Sequence, residues 1–264
     1  MATFADDAQK TLDQGVVLFE DIHESCVRRH EDAALVAPLF VPAALKAASA
    51  RGANEIPQCT AFGLQGDALA KASHVLSAYF HALQQLAAFN SSTVSDPGQQ
   101  AAASAALATR LNPVQVDSVG KLAGLVTQLF TERYQQRHLV HILIEADRSI
   151  TSITQGFEDV VSKDYEGLLR EEQQTLAAQY QGVVDSKAPA TTLLLNRAYS
   201  EDLNGLKRRR AAAEAYVEAL QQIREGHHRL AQSASRLKGR ELMAALQPYT
   251  EKLEGLLPTL QKGF

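Results

Sequence analysis

The chain has 264 residues, 45% of them hydrophobic, enough to build a core and to exclude wholesale disorder. Aromatic residues make up only 6% and tryptophan is absent, while alanine, leucine and glutamine abound, a balance that favours helix over sheet. A formal net charge of −4 argues against a nucleic-acid partner, because phosphate affinity comes from clustered Lys and Arg.

The first predicted helix covers about residues 4–30, with Leu12, Val16, Phe19, Ile22 and Cys26 on one apolar face. Its start, MATFADDAQK, has neither the charged nor the apolar segment of a signal peptide, so the expected chain is either cytosolic or a form whose export signal has been cleaved. The longest apolar run, AALVAPLFVPAAL (33–45), is too short to span a bilayer and holds two prolines, so no transmembrane segment is expected. Residues 31–58 read as a loop with short helical turns. A second helix is predicted over about 61–89, carrying Leu69, Leu76, Tyr79, Phe80, Leu83 and Leu86. NSSTVSDPG (90–98) is a loop signal, QQAAASAALATRL (99–111) a short helix, and VDSVGKLAGLVTQLFTERY (116–134) a further helix.

Two long proline-free windows follow, between Pro113 and Pro189 and between Pro189 and Pro248. In the second, Leu203, Leu206, Arg210, Ala213, Val217, Leu220, Ile223, His227, Leu230, Ala234 and Leu237 recur in steps of three and four, the spacing of a coiled-coil seam. The first window carries Ile150, Ile153, Phe157 and Val160, then less regularly Leu168, Leu169, Leu176 and Tyr180. Between them VVDSKAPATT (183–192) offers caps and a proline suited to a first helical turn. The pattern predicts a hairpin over about 138–236, turning near 185–189, its arms each about 65 Å long at 1.5 Å per residue. HLVHILI and TTLLL read as helix rather than strand in this setting. A last helix carries Leu242, Leu246, Tyr249, Leu253, Leu257 and Leu260, with a bend expected at Pro248. The expected architecture is all-α: one domain over 1–264, an elongated antiparallel bundle built around a long two-helix, coiled-coil-like hairpin.

DIHESCVRRH (21–30) is the most chemically suggestive stretch, since His23, Cys26 and His30 share a helix face. A closed zinc site needs a fourth ligand, and no partner motif supplies one in a recognisable spacing. The favoured reading is a disulfide between Cys26 and Cys59, the chain's two cysteines, because antiparallel packing of the first two helices brings both to one end of the bundle. Free buried thiols are the principal alternative. A disulfide implies an oxidising compartment.

Two ExxH pairs, Glu20 to His23 and Glu225 to His228, raise a second possibility. With the turn centred near 187, position 228 faces about 146, beside Glu145, Asp147 and His141. A carboxylate-bridged di-metal site from Glu20, His23, Glu145, Glu225 and His228 is therefore the lesser alternative. The same arithmetic sets LKRRR (206–210) against Asp164, Glu166, Glu171 and Glu172, and interhelical ion pairing is the simplest account of that basic run. No nucleotide-binding, serine-hydrolase or zinc-protease pattern is present, so no catalytic residue and no cofactor are assigned.

REGHHRLAQ and ALQPYTEKLEGLL, together with the placement of Cys26 and Cys59, give the chain a pattern that resembles a set of uncharacterised, mostly helical proteins of the bacterial envelope, many exported or lipid-anchored. The resemblance implies a periplasmic or envelope location, with a lipid anchor possible in a precursor and the cytoplasm as the alternative. The expected role is a non-enzymatic interaction or scaffold protein that binds a protein partner through helix faces. An inhibitor or immunity-type protein is the third reading.

Overall fold

The computed structural model describes residues 1–36, 57–87, 112–131, 136–184, 189–233, 236 and 240–264. Every regular element among them is helical: α1 (Ala2–Val36), α2 (Thr60–Ala87), α3 (Pro113–Thr131), α4 (Gln136–Asp159), a π-helical turn (Val160–Tyr165), α5 (Glu166–Val184), α6 (Pro189–Ser233) and α7 (Arg240–Gly263). The protein is an all-α helical bundle. The expected loop at 90–98, the helix at 99–111 and the turn at 185–188 lie outside the described residues, but 31–36, read as loop, continue α1.

Local chemistry explains the helix starts. Pro113 and Pro189 open α3 and α6, where a missing N–H leaves nothing unsatisfied. Asn112 caps α3 reciprocally: its Oδ1 accepts from the Gln115 amide at 2.9 Å, and Gln115 Oε1 accepts from the Asn112 amide at 3.1 Å. α7 continues through Pro248 and Pro258. Buried Leu246, Leu253 and Leu260, seven residues apart, fasten it to its neighbours and offset the backbone bonds those prolines forgo.

α1 and α2 run antiparallel in close contact. Ser73 Oγ donates to the Leu12 carbonyl at 2.9 Å, Ser77 Oγ to Asp13 at 2.9 Å and Gln84 to Asp6 at 2.9 Å. At Gly66 a Cβ would lie 2.5 Å from the Phe19 carbonyl oxygen, so any side chain there forces the backbones apart. Gly66→Ala is expected to destabilise by about 1–2 kcal/mol net, since overpacking outweighs the gain in helix propensity. Gly120→Ala, on the exposed side of α3 with nothing near its would-be Cβ, is expected to stabilise by up to about 1 kcal/mol. Urea denaturation of both variants checks the contrast.

The core is continuous. Phe19 of α1 meets Phe157 of α4 edge-on at 5.0 Å and Tyr216 of α6 at 5.8 Å, joining three helices at one point. Phe4 and Phe80 make a second such contact at 5.9 Å. The chain from α4 to α5 runs antiparallel to α6. Glu158 meets Arg224 at 2.6 Å, Glu166 meets Arg210 at 3.2 Å and Glu172 meets Arg209 at 2.7 Å, so position falls on one side as it rises on the other. Of the predicted seam, Leu206, Ala213, Leu220, Ile223, His227 and Leu230 are buried. Ala212, Ala215, Tyr216, Ala219 and Ala231 are buried as well. This stripe is wider than a two-stranded seam requires, because α6 also packs on α1 and α7.

The π-helical turn explains the irregular apolar spacing after Phe157. An extra residue advances the helix phase, so the buried series passes through Val161, Tyr165, Leu168, Leu169 and Leu176.

Asp7 is out of keeping with its surroundings. It is 3% exposed, and its Oδ2 has no hydrogen-bond partner among the described residues. Burial, aided by the charge of Glu254, pushes its carboxyl up to about 6. A carboxyl raised on folding favours the folded state most at pH below its ordinary value, and that advantage is lost as pH rises through about 6. Asp7→Asn is therefore expected to gain on the order of 1–3 kcal/mol at pH 8 and nothing near pH 3.5. Thermal unfolding at both pH values tests this. Asp32, also raised to about 6, leaves the variant some slope of the same sign.

Candidate functional site

Chemistry-bearing side chains concentrate where the end of α1 meets α5 and α6. Glu172 of α5, 4% exposed, is the hub. Its Oε2 accepts from Ser25 Oγ at 2.6 Å and from Arg209 Nη1 at 3.0 Å. Its Oε1 accepts from Arg209 Nη2 at 2.7 Å and from Arg28 Nε at 3.0 Å. Asp21 is the second anion: it accepts from Arg28 at 2.7 Å, from Arg209 at 3.3 Å and from the Tyr165 hydroxyl at 2.5 Å. The π-helical turn is what sets Tyr165 in the core with its hydroxyl at Asp21. Burial works to raise the Glu172 carboxyl, but Arg209, Ser25 and Arg28 outweigh it and hold the group below the usual range.

Cys26 follows Ser25 on α1, and its sulfur and that of Cys59 stand at disulfide bonding distance, 2.07 Å, with Cα atoms 5.7 Å apart. Both residues are fully buried. His30, one turn beyond Cys26, brings a ring nitrogen close: one ligand atom from each of the three side chains lies within 4.8 Å of the others. Arg29 donates to His30 Nε2 at 3.0 Å and also pairs with Glu171. Beyond this point, the described residues of α5 after Leu176 and of α6 before Leu206 are half-buried or exposed. The tilted rings of Tyr180 and Tyr199 meet there at 4.7 Å, Tyr180 donates to Asp202 at 3.1 Å, and Leu193 is 74% exposed.

A second polar chain sits toward the opposite end of α6. Asp147 carboxylate oxygens only accept, so His227 donates through Nδ1 at 3.1 Å and His228 through Nδ1 at 2.7 Å. His227 Nε2 then accepts from the Tyr79 hydroxyl at 2.8 Å. Burial pushes the His227 imidazole down, against the pull of Asp147. Burial also opposes ionisation of Asp147, yet the bonds from both histidines hold it below its ordinary value. Tyr79 and His227 are fully buried. The two buried rings fasten α2, α4 and α6, and His228 at the outer end of the chain is exposed.

The residues of the di-metal alternative are not gathered. Glu20, Glu145 and Glu225 are exposed. His23 lies 3.5 Å from Glu24, His141 lies 3.3 Å from Glu145, and His228 is taken by Asp147. The reason is axial. Asp21, beside Glu20, pairs with Arg209, and His228 lies about 28 Å further along α6 at 1.5 Å per residue. The three-residue face of His23, Cys26 and His30 is also revised, because Cys59 takes the place of His23 beside Cys26 and His30. Of the acids set against LKRRR, Glu166 and Glu172 receive Arg210 and Arg209. Asp164 instead accepts from Gln65 at 3.0 Å, and Glu171 pairs with Arg29. Asp21, Ser25, Arg28 and Tyr165 were not singled out from sequence. Their only signal there is the polar interruption of an apolar face, which does not name a partner.

Among the described residues no helix is long and apolar enough to cross a membrane. No protein-family model matches the chain, and no curated protein or solved structure matches it significantly.

Proposed function

We propose that this is a non-enzymatic interaction or scaffold protein of a bacterial envelope, which engages a protein partner at the far end of the paired helices α5 and α6. The observation that carries the reading is the exposure of Leu193, at 74%, on the same part of the pair as the contacting rings of Tyr180 and Tyr199. Large exposed apolar side chains beside aromatics and charges are what partner-binding surfaces use. The charge network anchored by Glu172 supports this reading, because it ties the base of the pair to α1 and so makes a rigid mount. The cysteine pair at bonding distance is compatible with an oxidising compartment, and that supports the envelope placement.

The test places a photoreactive phenylalanine analogue at Leu193 and, separately, at Met243, which is 61% exposed on α7 near the other end of α6. In the native cells a discrete cross-linked adduct is expected from position 193 and not from 243. Equal adducts from both, or none from 193, sink the reading. Fractionation of the same cells checks the placement, and a cytoplasmic chain with two alkylatable thiols removes it.

A further inference from the structure

Cys26 and His30 occupy successive turns on one face of α1, and Cys59 ends the turn that leads into α2. One sulfur or nitrogen from each lies within 4.8 Å of the others, although the three come from two segments held together by the α1–α2 packing. A tetrahedral zinc ion takes thiolate sulfur at about 2.3 Å and imidazole nitrogen at about 2.0 Å, which sets its ligand atoms about 3.5–3.8 Å apart. Once the sulfur–sulfur bond is open, shifts of about 1–2 Å carry all three atoms into that array, a range that side-chain torsions cover. Sulfurs bonded to each other carry no thiolate to offer an ion, so the oxidised pair cannot ligate one.

We infer that Cys26, Cys59 and His30 form a redox-gated site for a thiophilic divalent cation, zinc by preference, that exists only when the disulfide is reduced. Reduction by a dithiol breaks the sulfur–sulfur bond and puts two electrons and two protons on the cysteines. The dithiol leaves as its own disulfide. The cation then displaces the two thiol protons to water and binds two thiolates and the neutral ring. Two thiolates cancel the charge of the ion, so a site whose cysteines are fully buried carries no net charge. His30, half-buried, gives the ion its approach, and water completes the fourth position.

Arg29 is the latch. It donates to His30 Nε2, and it must release the ring whichever nitrogen binds the metal, because ligation through Nδ1 leaves a proton on Nε2 that cannot accept from a guanidinium. Glu171, already paired with Arg29, is the partner that keeps the guanidinium once the ring has left it. The inference is independent of the partner-binding reading, since it uses neither Leu193 nor the tyrosines of the far end of α5 and α6 and needs no partner.

The full chain is reduced with a phosphine, desalted without oxygen and titrated with zinc alone. Cobalt(II) is run in parallel to report thiolate charge-transfer and tetrahedral d–d bands. One equivalent of zinc per reduced chain is expected, and none for the oxidised chain. Cys59→Ser should abolish uptake, His30→Ala should weaken it at least tenfold, Arg29→Gln should tighten it and His23→Ala should leave it unchanged. Uptake that is absent on reduction, equal in oxidised protein, or unaffected by His30→Ala overturns the inference. Loss of helical circular dichroism on reduction also overturns it, because the site exists only while α1 and α2 stay packed.

Discussion

Glu172→Ala is expected to destabilise the protein by about 3–5 kcal/mol, the range for removing one partner of a buried ion pair. The substitution leaves Arg209, whose side chain is 13% exposed, facing only the more distant carboxylate of Asp21 at 3.3 Å. It also strips an acceptor from the buried hydroxyl of Ser25. Glu172→Gln should lose less, since the amide oxygen still accepts from Ser25 or Arg209. The midpoint of urea unfolding reads both. A double-mutant cycle with Arg209→Ala should return a coupling of about 0.5–3 kcal/mol, and no coupling would mean that the pair acts only as packing. The pH dependence has a definite sign. Glu172 is held below its ordinary value, so its contribution is present above the unfolded carboxyl range and is lost as pH falls through the folded one. Acid should therefore remove stability from the parent that Glu172→Ala no longer has to lose.

Replacing both cysteines by serine is expected to lower stability by about 4 kcal/mol, on the chain-entropy account for cysteines 33 residues apart. The reason lies in the unfolded chain, since the bridge forbids the open conformations of the segment between the two cysteines. Reductant should bring the parent to the same urea midpoint as the double variant. The comparison belongs in chelator, so that no bound cation offsets the loss. A midpoint indifferent to reductant would show that the native chain carries two thiols, and the envelope placement would lose its chemical support.

Several contacts across the bundle were legible before any coordinates. Counting outward from a turn near 187 sets residue 228 against 146, and His228 bonds to Asp147. The same count sets Arg209 and Arg210 against the acids that include Glu172 and Glu166, and both pairs form. Cys26 and Cys59 meet because α1 and α2 are antiparallel, which brings Cys59, at the start of α2, against the C-terminal half of α1. All of this needs only helical rise and direction.

Rotation about the helix axis was not legible in the same way. A carboxylate and an imidazole three residues apart share a face, but the sequence does not say which neighbour that face meets. The Glu20–His23 pair of α1 lies beside the Arg209 level of α6, far along that helix from Glu225 and His228. The π-helical turn compounds this, because one inserted residue rotates everything after Val160 relative to the simple count. Tyr165 faces Asp21 as a consequence.

The amino-acid sequence by itself determined that the chain is helical, where most helices start and how far apart residues lie along them. Those properties follow from side-chain spacing and backbone chemistry within a few residues. Only the tertiary structure decided that His30 rather than His23 joins the Cys26–Cys59 pair, that Glu172 gathers Ser25, Arg28 and Arg209, and that Gly66 lets two backbones touch. Those contacts depend on helix phase and interaxial distance, which are set by how side chains from separate segments interlock and which no local pattern encodes.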